Sequence, residues 1–148
     1  MKKLFIFCLT SLIIGTTSAQ TSPVQWTFEA VKKSAQQYEI VMTAEIDAPW
    51  HIYSQFVKGG PVPTSFRFKM NPLIQLQGNT KEVGKLEKSF DKNFNATIAT
   101  FSNKVQFIQS VMVKNGVKTK LSGTVEYMVC DDSHCLPPKR IPFEVSIQ

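Results

Sequence analysis

The sequence predicts an all-β chain folded as an antiparallel sandwich, on three observations. Apolar residues recur with period two along most of it. Turn residues punctuate the alternating runs. No segment carries the apolar stripe of a helix, and residues 31–37 read as a turn at most. In order, Tyr38, Ile40, Met42, Ala44 and Ile46 alternate with polar or small residues and would share one face of a strand. Phe66, Phe68 and Met70 repeat the pattern around Arg67 and Lys69. Val105, Phe107, Val111 and Val113 share one parity, interrupted at Gln109. Val117, Leu121, Val125, Tyr127 and Val129 form a long run, with Gly123 inside it as a bulge or bend. Ile141, Phe143, Val145 and Ile147 close the chain. Turns are expected at Gly59-Gly60-Pro61-Val62-Pro63, Asn71-Pro72 and Gln77-Gly78-Asn79, and Asn115-Gly116 is the clearest hairpin signal. Seven to nine short strands of this kind, within roughly one domain's length, make an immunoglobulin-like β-sandwich. The Cys–Trp–Cys spacing of antibody domains is absent.

The first residues read as a secretory signal. Lys2 and Lys3 supply the positive start, residues 4–14 an apolar run broken only by Thr10 and Ser11, and residues 15–19 the small side chains of a cleavage site. Cleavage after Ala19 divides the chain into a signal, 1–19, and one domain, 20–148, long enough to bury a real core. The apolar run is too short to span a bilayer, and Cys8 lacks the small-residue setting of a lipid anchor. No later segment approaches membrane length, so no span is expected after cleavage. The formal charge of +6 includes Lys2 and Lys3. The remaining lysines are scattered rather than striped, which argues against nucleic acid as a partner.

Of three cysteines, Cys130 and Cys135 remain after signal removal, and an exported pair has one possible connectivity. Three readings stand open. As a staple, so short a ring contributes only about 2 kcal/mol, and a domain of this size has core enough without it. As an exchange pair, it carries two electrons between thiol and disulfide. Asp131 and Asp132 would then disfavour a thiolate at Cys130, while protonated His134 would favour one at Cys135, so Cys135 attacks and Cys130 resolves. Pro137-Pro138 would stiffen the exit from the loop. As a metal site, Cys130, His134 and Cys135 would need His51 as a fourth ligand. The alternative for His51 is a half-buried strand residue beside Trp50.

The segment from Gly123 to Pro138, Gly-Thr-Val-Glu-Tyr-Met-Val-Cys-Asp-Asp-Ser-His-Cys-Leu-Pro-Pro, resembles the active-site segment of the N-terminal periplasmic domain of the thiol:disulfide interchange protein DsbD. Gly60-Pro-Val-Pro-Thr-Ser-Phe66 and Val105-Gln-Phe-Ile-Gln109 are similar to stretches of Bacteroidetes-type members. The resemblance implies an immunoglobulin-like sandwich in the periplasm, needing no cofactor, whose cysteine pair relays electrons between thioredoxin-fold proteins. It implies that Cys135 attacks the partner and Cys130 resolves. It also implies a cap aromatic over the disulfide, which a gap-free count from Phe101 places at Phe94, with Phe90 the nearby rival and a core strand position the plain alternative. Tyr53 matches one of two aromatic hydroxyls near the family's site, and His51 departs from the other. The cap's acidic neighbours are replaced by Lys92 and Asn93, leaving Asp91 close by, and four residues separate the cysteines where many members have a longer spacing. DsbD also carries a membrane electron-transfer domain and a thioredoxin domain. Neither is present in this sequence, so a monomeric module meeting separate thioredoxin-fold proteins and a membrane electron donor transiently is the expectation.

Overall fold

The computed structural model describes residues 22–114 and 117–148. The expected signal segment and the Asn115-Gly116 hairpin lie outside them. The described residues form eleven antiparallel strands and no helix, an immunoglobulin-like sandwich as the alternation predicts. The first sheet takes β1 (Val24–Lys32), β2 (Gln37–Ile46), β8 (Lys104–Val113) and β5 (Ile74–Gly84), in that spatial order. The second takes β10 (Val129–Cys130), β3 (His51–Tyr53), β7 (Ala96–Ser102) and β6 (Glu87–Asp91). The third takes β11 (Lys139–Ile147), β9 (Thr119–Tyr127) and β4 (Ser65–Phe68). Residues 33–36 connect β1 to β2, closed by Lys33 N–H donating to the Gln37 carbonyl at 2.8 Å.

One contiguous core joins the three sheets. Tyr38, Ile40, Met42, Ala44 and Ile46 of β2 are buried together with Val105, Phe107, Val111 and Val113 of β8 and with Phe143, Val145 and Ile147 of β11. Trp26 of β1 reaches across the interior to Phe107 at 5.8 Å and Tyr127 at 5.5 Å between ring centroids, and Phe28 stacks on Phe143 at 4.7 Å. Each fully buried side chain of this size contributes about 1.5–3 kcal/mol. The core therefore outweighs anything a short disulfide ring can add.

Three positions depart from the sequence expectations, each for a local reason. Gln77-Gly78-Asn79 does not end a strand. β5 runs through it with a register shift between Gln77 and Lys81 against β8. Gln109, the interruption in β8, is buried because it secures that irregularity: its amide donates to the Gln77 and Gly78 carbonyls at 3.1 and 3.3 Å and accepts from Thr80 Oγ1 at 2.9 Å. Met70 lies beyond β4 and is fully exposed, because the chain turns at Asn71, whose side chain accepts from Leu73 N–H. Gly123 is neither bulge nor bend. It pairs in unbroken register with Phe143 on one side and Phe68 on the other. A Cβ there would lie 2.6 Å from both the Phe143 ring and the Arg67 carbonyl oxygen, so the residue makes room for two neighbours.

The long run that ends at Val129 keeps its parity but changes sheet. Tyr127 closes β9 in the third sheet, and after Met128 the chain resumes as β10 in the second, pairing Val129 with Ile52 and Cys130 with His51. This crossing delivers the first cysteine to the outermost strand of the second sheet.

Candidate functional site

Cys130 and Cys135 are joined by a disulfide. The loop between them is a tight reversal. Asp131 N–H donates to the His134 carbonyl at 3.0 Å, and Leu136 N–H donates to the Val129 carbonyl at 2.9 Å. The Asp131 carboxylate caps the turn, accepting from Ser133 N–H at 2.7 Å and His134 N–H at 2.8 Å. Those two backbone donors, with the nearby His134 ring, hold the Asp131 carboxyl below its ordinary value. Cys130 is wholly buried and Cys135 only partly so. The two sulfurs therefore differ in what can reach them.

The charges around the pair are not arranged as the bare sequence suggests. Asp131 is committed to its own loop and to His134 Nδ1 at 3.1 Å. The His134 ring meets the edge of Trp50 at 5.2 Å and is largely exposed. Asp132 is exposed and Pro137 and Pro138 follow on the surface.

A small cluster gathers around the cysteines: Tyr53, Ile98 and Cys130 buried, with Phe94, Val57, Met128 and Cys135 packed against them. Phe94 lies in the turn between β6 and β7, not in a core strand. Its ring meets Tyr53 edge-on at 5.9 Å. Gly60 packs on this ring and has a φ of 78°, in the left-handed region that favours glycine, which explains glycine at that turn position. Phe90 is not part of this cluster: it is 59 % exposed on β6.

Tyr53 is fully buried, and its hydroxyl donates to Asp91 Oδ2 at 2.7 Å. His51, on the same face of β3, brings Nε2 to 3.4 Å from the Tyr53 hydroxyl and 3.7 Å from Asp91 Oδ2. Burial, reinforced by the neighbouring carboxylate, pushes the Tyr53 hydroxyl far above its ordinary value. Burial alone would raise Asp91 too. The hydrogen bonds from Tyr53 and from Asn93 N–H outweigh it and hold the carboxyl below its ordinary 3.8. His51 is thus the half-buried strand residue, tied to Tyr53 and Asp91. The four side chains of the metal reading separate into a disulfide, a His51–Asp91 contact and a His134–Asp131 contact. Among the described residues, no three His, Cys, Asp or Glu side chains group to hold a metal ion.

The match that decides the family covers residues 18–146 and is described as thiol:disulfide interchange protein DsbD, N-terminal. The chain belongs to the DsbD N-terminal family. Among solved structures it is similar to the Neisseria meningitidis DsbD N-terminal domain in its reduced form, at a TM-score of 0.52 and 14 % identity, covering 82 % of this chain and 84 % of that one. It is also similar to the N-terminal periplasmic domain of ScsB from Proteus mirabilis, at a TM-score of 0.57 and 11 % identity. That alignment covers 88 % of this chain and 48 % of the ScsB chain. At these identities the likeness is one of fold. No curated protein sequence matches. Among the described residues no helix is long and apolar enough to cross a membrane.

Within this DsbD-type sandwich, sequence reasoning noted Asp91 only as a neighbouring acid and missed its role as anchor. A buried acid is tolerated when its partners converge on it, and Tyr53 and His51 lie on β3, out of reach of any local pattern around Asp91. Tyr53→Phe is expected to lower the unfolding free energy at pH 7 by about 1–3 kcal/mol, since it strips a donor from a buried carboxylate. Asp91 has a lowered value in the fold, so its contribution is complete above 3.8 and is lost as pH falls through that lower value. The deficit of Tyr53→Phe should therefore shrink by about pH 2.5. Equal deficits at both pH values, measured by denaturant unfolding, would remove Asp91 as the reason.

Proposed function

We propose that this chain is a periplasmic thiol–disulfide exchange module that relays electrons between thioredoxin-fold proteins through Cys130 and Cys135. The observation that carries the reading is the asymmetry of the pair: one cysteine closed inside the sandwich and one half-buried, in a cluster that also takes in an aromatic side chain on a turn. A disulfide with one partly exposed cysteine exchanges more readily than a staple buried at both ends, and family membership supports the same role.

The steps balance without a cofactor. A thiolate of the donor attacks the Cys135 sulfur, and Cys130 leaves as a thiolate and takes up a proton. The donor's second thiolate then attacks the donor sulfur of this mixed disulfide and releases Cys135 as a thiolate, which takes up the second proton. The pair has gained two electrons and two protons, and the donor is left as a disulfide. In the second half, the Cys135 thiolate attacks an acceptor disulfide, and Cys130 attacks Cys135 to release the acceptor reduced. Phe94 caps the pair between encounters by occupying the space beside the sulfurs. Tyr53, with Asp91 behind it, supports that ring from below. The leader, cleaved after Ala19, delivers residues 20–148 as a monomer to the periplasm, where donors of membrane origin and thioredoxin-fold acceptors meet it through small, transient contacts.

The test is the reduction potential. Equilibrated with glutathione and thioredoxin buffers and assayed for free thiols, the pair should be half reduced above about −300 mV. A pair still oxidised below that potential would be a staple, and the exchange reading would fall.

A further inference from the structure

We infer that the Asn93 side chain is a positioning residue for exchange, a latch that holds the Phe94 turn closed onto the cysteine loop. The inference rests on the exchange reading above and adds what keeps the cap in place.

The turn formed by residues 92–95 must be fixed to something if its aromatic ring is to stay in the cluster around the cysteines. Its base is fixed internally, where Asn93 N–H donates to Asp91 Oδ1 at 2.9 Å and Asp91 is itself bound by Tyr53. The Phe94 ring gains packing from Tyr53 and from the Gly60 backbone. Neither of these ties the turn to the cysteine loop. That link is one hydrogen bond, Asn93 Nδ2 donating to the Asp131 carbonyl at 3.2 Å. Among the described residues it is the only hydrogen bond between residues 92–95 and residues 131–134.

The acceptor is well chosen for a latch. Asp131 directly follows Cys130, and its backbone is held by its own N–H to the His134 carbonyl and by its carboxylate capping the turn. The carbonyl therefore stays put while the Phe94 turn moves. A carbonyl accepts only, so the turn must supply a donor, and the Asn93 amide does so. The bond lies at the exposed edge of the site, where water or a docking partner's polar group replaces it at little cost. A single bond of this kind is strong enough to bias the turn shut and weak enough to release.

The experiment follows reduction of the oxidised protein by dithiothreitol, read as free thiols over time. The variants are Asn93→Ala, Asn93→Leu, Phe94→Ala and the Phe94→Ala/Asn93→Ala pair. Both single changes at Asn93 are uncharged and keep its backbone bond to Asp91, so they remove the latch without altering the charge near the sulfurs. Both should be reduced about two- to tenfold faster than the parent, the factor set by the net strength of one hydrogen bond. Their thermal midpoints should fall by a few degrees at most, no more than one lost hydrogen bond accounts for. Phe94→Ala should also be faster, and adding Asn93→Ala to it should bring no further gain, because the latch acts through the ring. Parental rates in both Asn93 variants would overturn the inference. So would the same acceleration on the Phe94→Ala background, or a loss of thermal stability well beyond what one hydrogen bond accounts for. The small thiol needs no protein partner. Failure of the exchange reading would appear instead as the absence of a protein mixed disulfide, whatever the Asn93 variants do.

Discussion

Cys130→Ala is expected to arrest exchange at a covalent adduct, with an oxidised thioredoxin-fold acceptor held through Cys135. The remaining thiol can still attack the acceptor disulfide, and the residue that should release the product is gone. Cys135→Ala should give no adduct, because the surviving Cys130 is closed inside the sandwich between β3 and the loop. In both variants steady-state turnover should fall to the uncatalysed background. After acid quench and alkylation, non-reducing electrophoresis and intact mass show the adduct directly. Equal adducts from both variants would reverse the roles assigned to the sulfurs, and adducts from neither would leave the pair without exchange chemistry. The role assignment was first suggested by the charges beside the cysteines. Burial is the stronger ground, since Asp131 spends its charge on its own turn and on His134.

Gly123→Ala is expected to destabilise the fold by about 3 kcal/mol, the upper end of what overpacking costs in well-packed sites. The added Cβ would stand 2.6 Å from a backbone carbonyl oxygen on β4 and 2.6 Å from the Phe143 ring on β11. The ring can shift, but its stacking on Phe28 goes with it. The carbonyl moves only if β4 moves. A fall in the denaturant midpoint without change in its slope would show this. A midpoint equal to that of the parent would mean that β4 and β9 separate freely at this point.

Gly123 also shows what the sequence tells and what it hides. β2, β8, β9 and β11 are long and each has one face covered, so alternation reveals them directly. β1 carried the same signal in Val24, Trp26, Phe28 and Ala30, all at one parity. The second sheet was hidden because its strands are short. His51–Tyr53 and Val129–Cys130 offer too few residues to establish a period, and β6 is exposed along most of its length. A glycine inside a strand signals only that something is special there. Whether it bends the strand or admits a neighbour depends on residues elsewhere in the chain. The same limit applies to the site. The cysteine loop is a local motif and could be read. The contacts of Phe94, Tyr53, Asp91 and Asn93 join three separate segments, and only the fold brings them together. Phe94 was reached through resemblance to a family, while Asn93 figured only as a departure from it.

The crossing from β9 to β10 has a final consequence for the sulfurs once their bond is cut. Leu136 to Val129, Asp131 to His134 and the pairing of Cys130 with His51 are all backbone interactions, and none of them needs the covalent link. If those bonds persist on reduction, the main chain would hold the two thiols as near neighbours, at a high effective concentration for one another. Reclosure is an intramolecular event along a path already laid out, so a mixed disulfide at Cys135 should be short-lived whenever Cys130 is present. On the exchange reading, the main chain would set the lifetime of such an intermediate, whichever protein formed it.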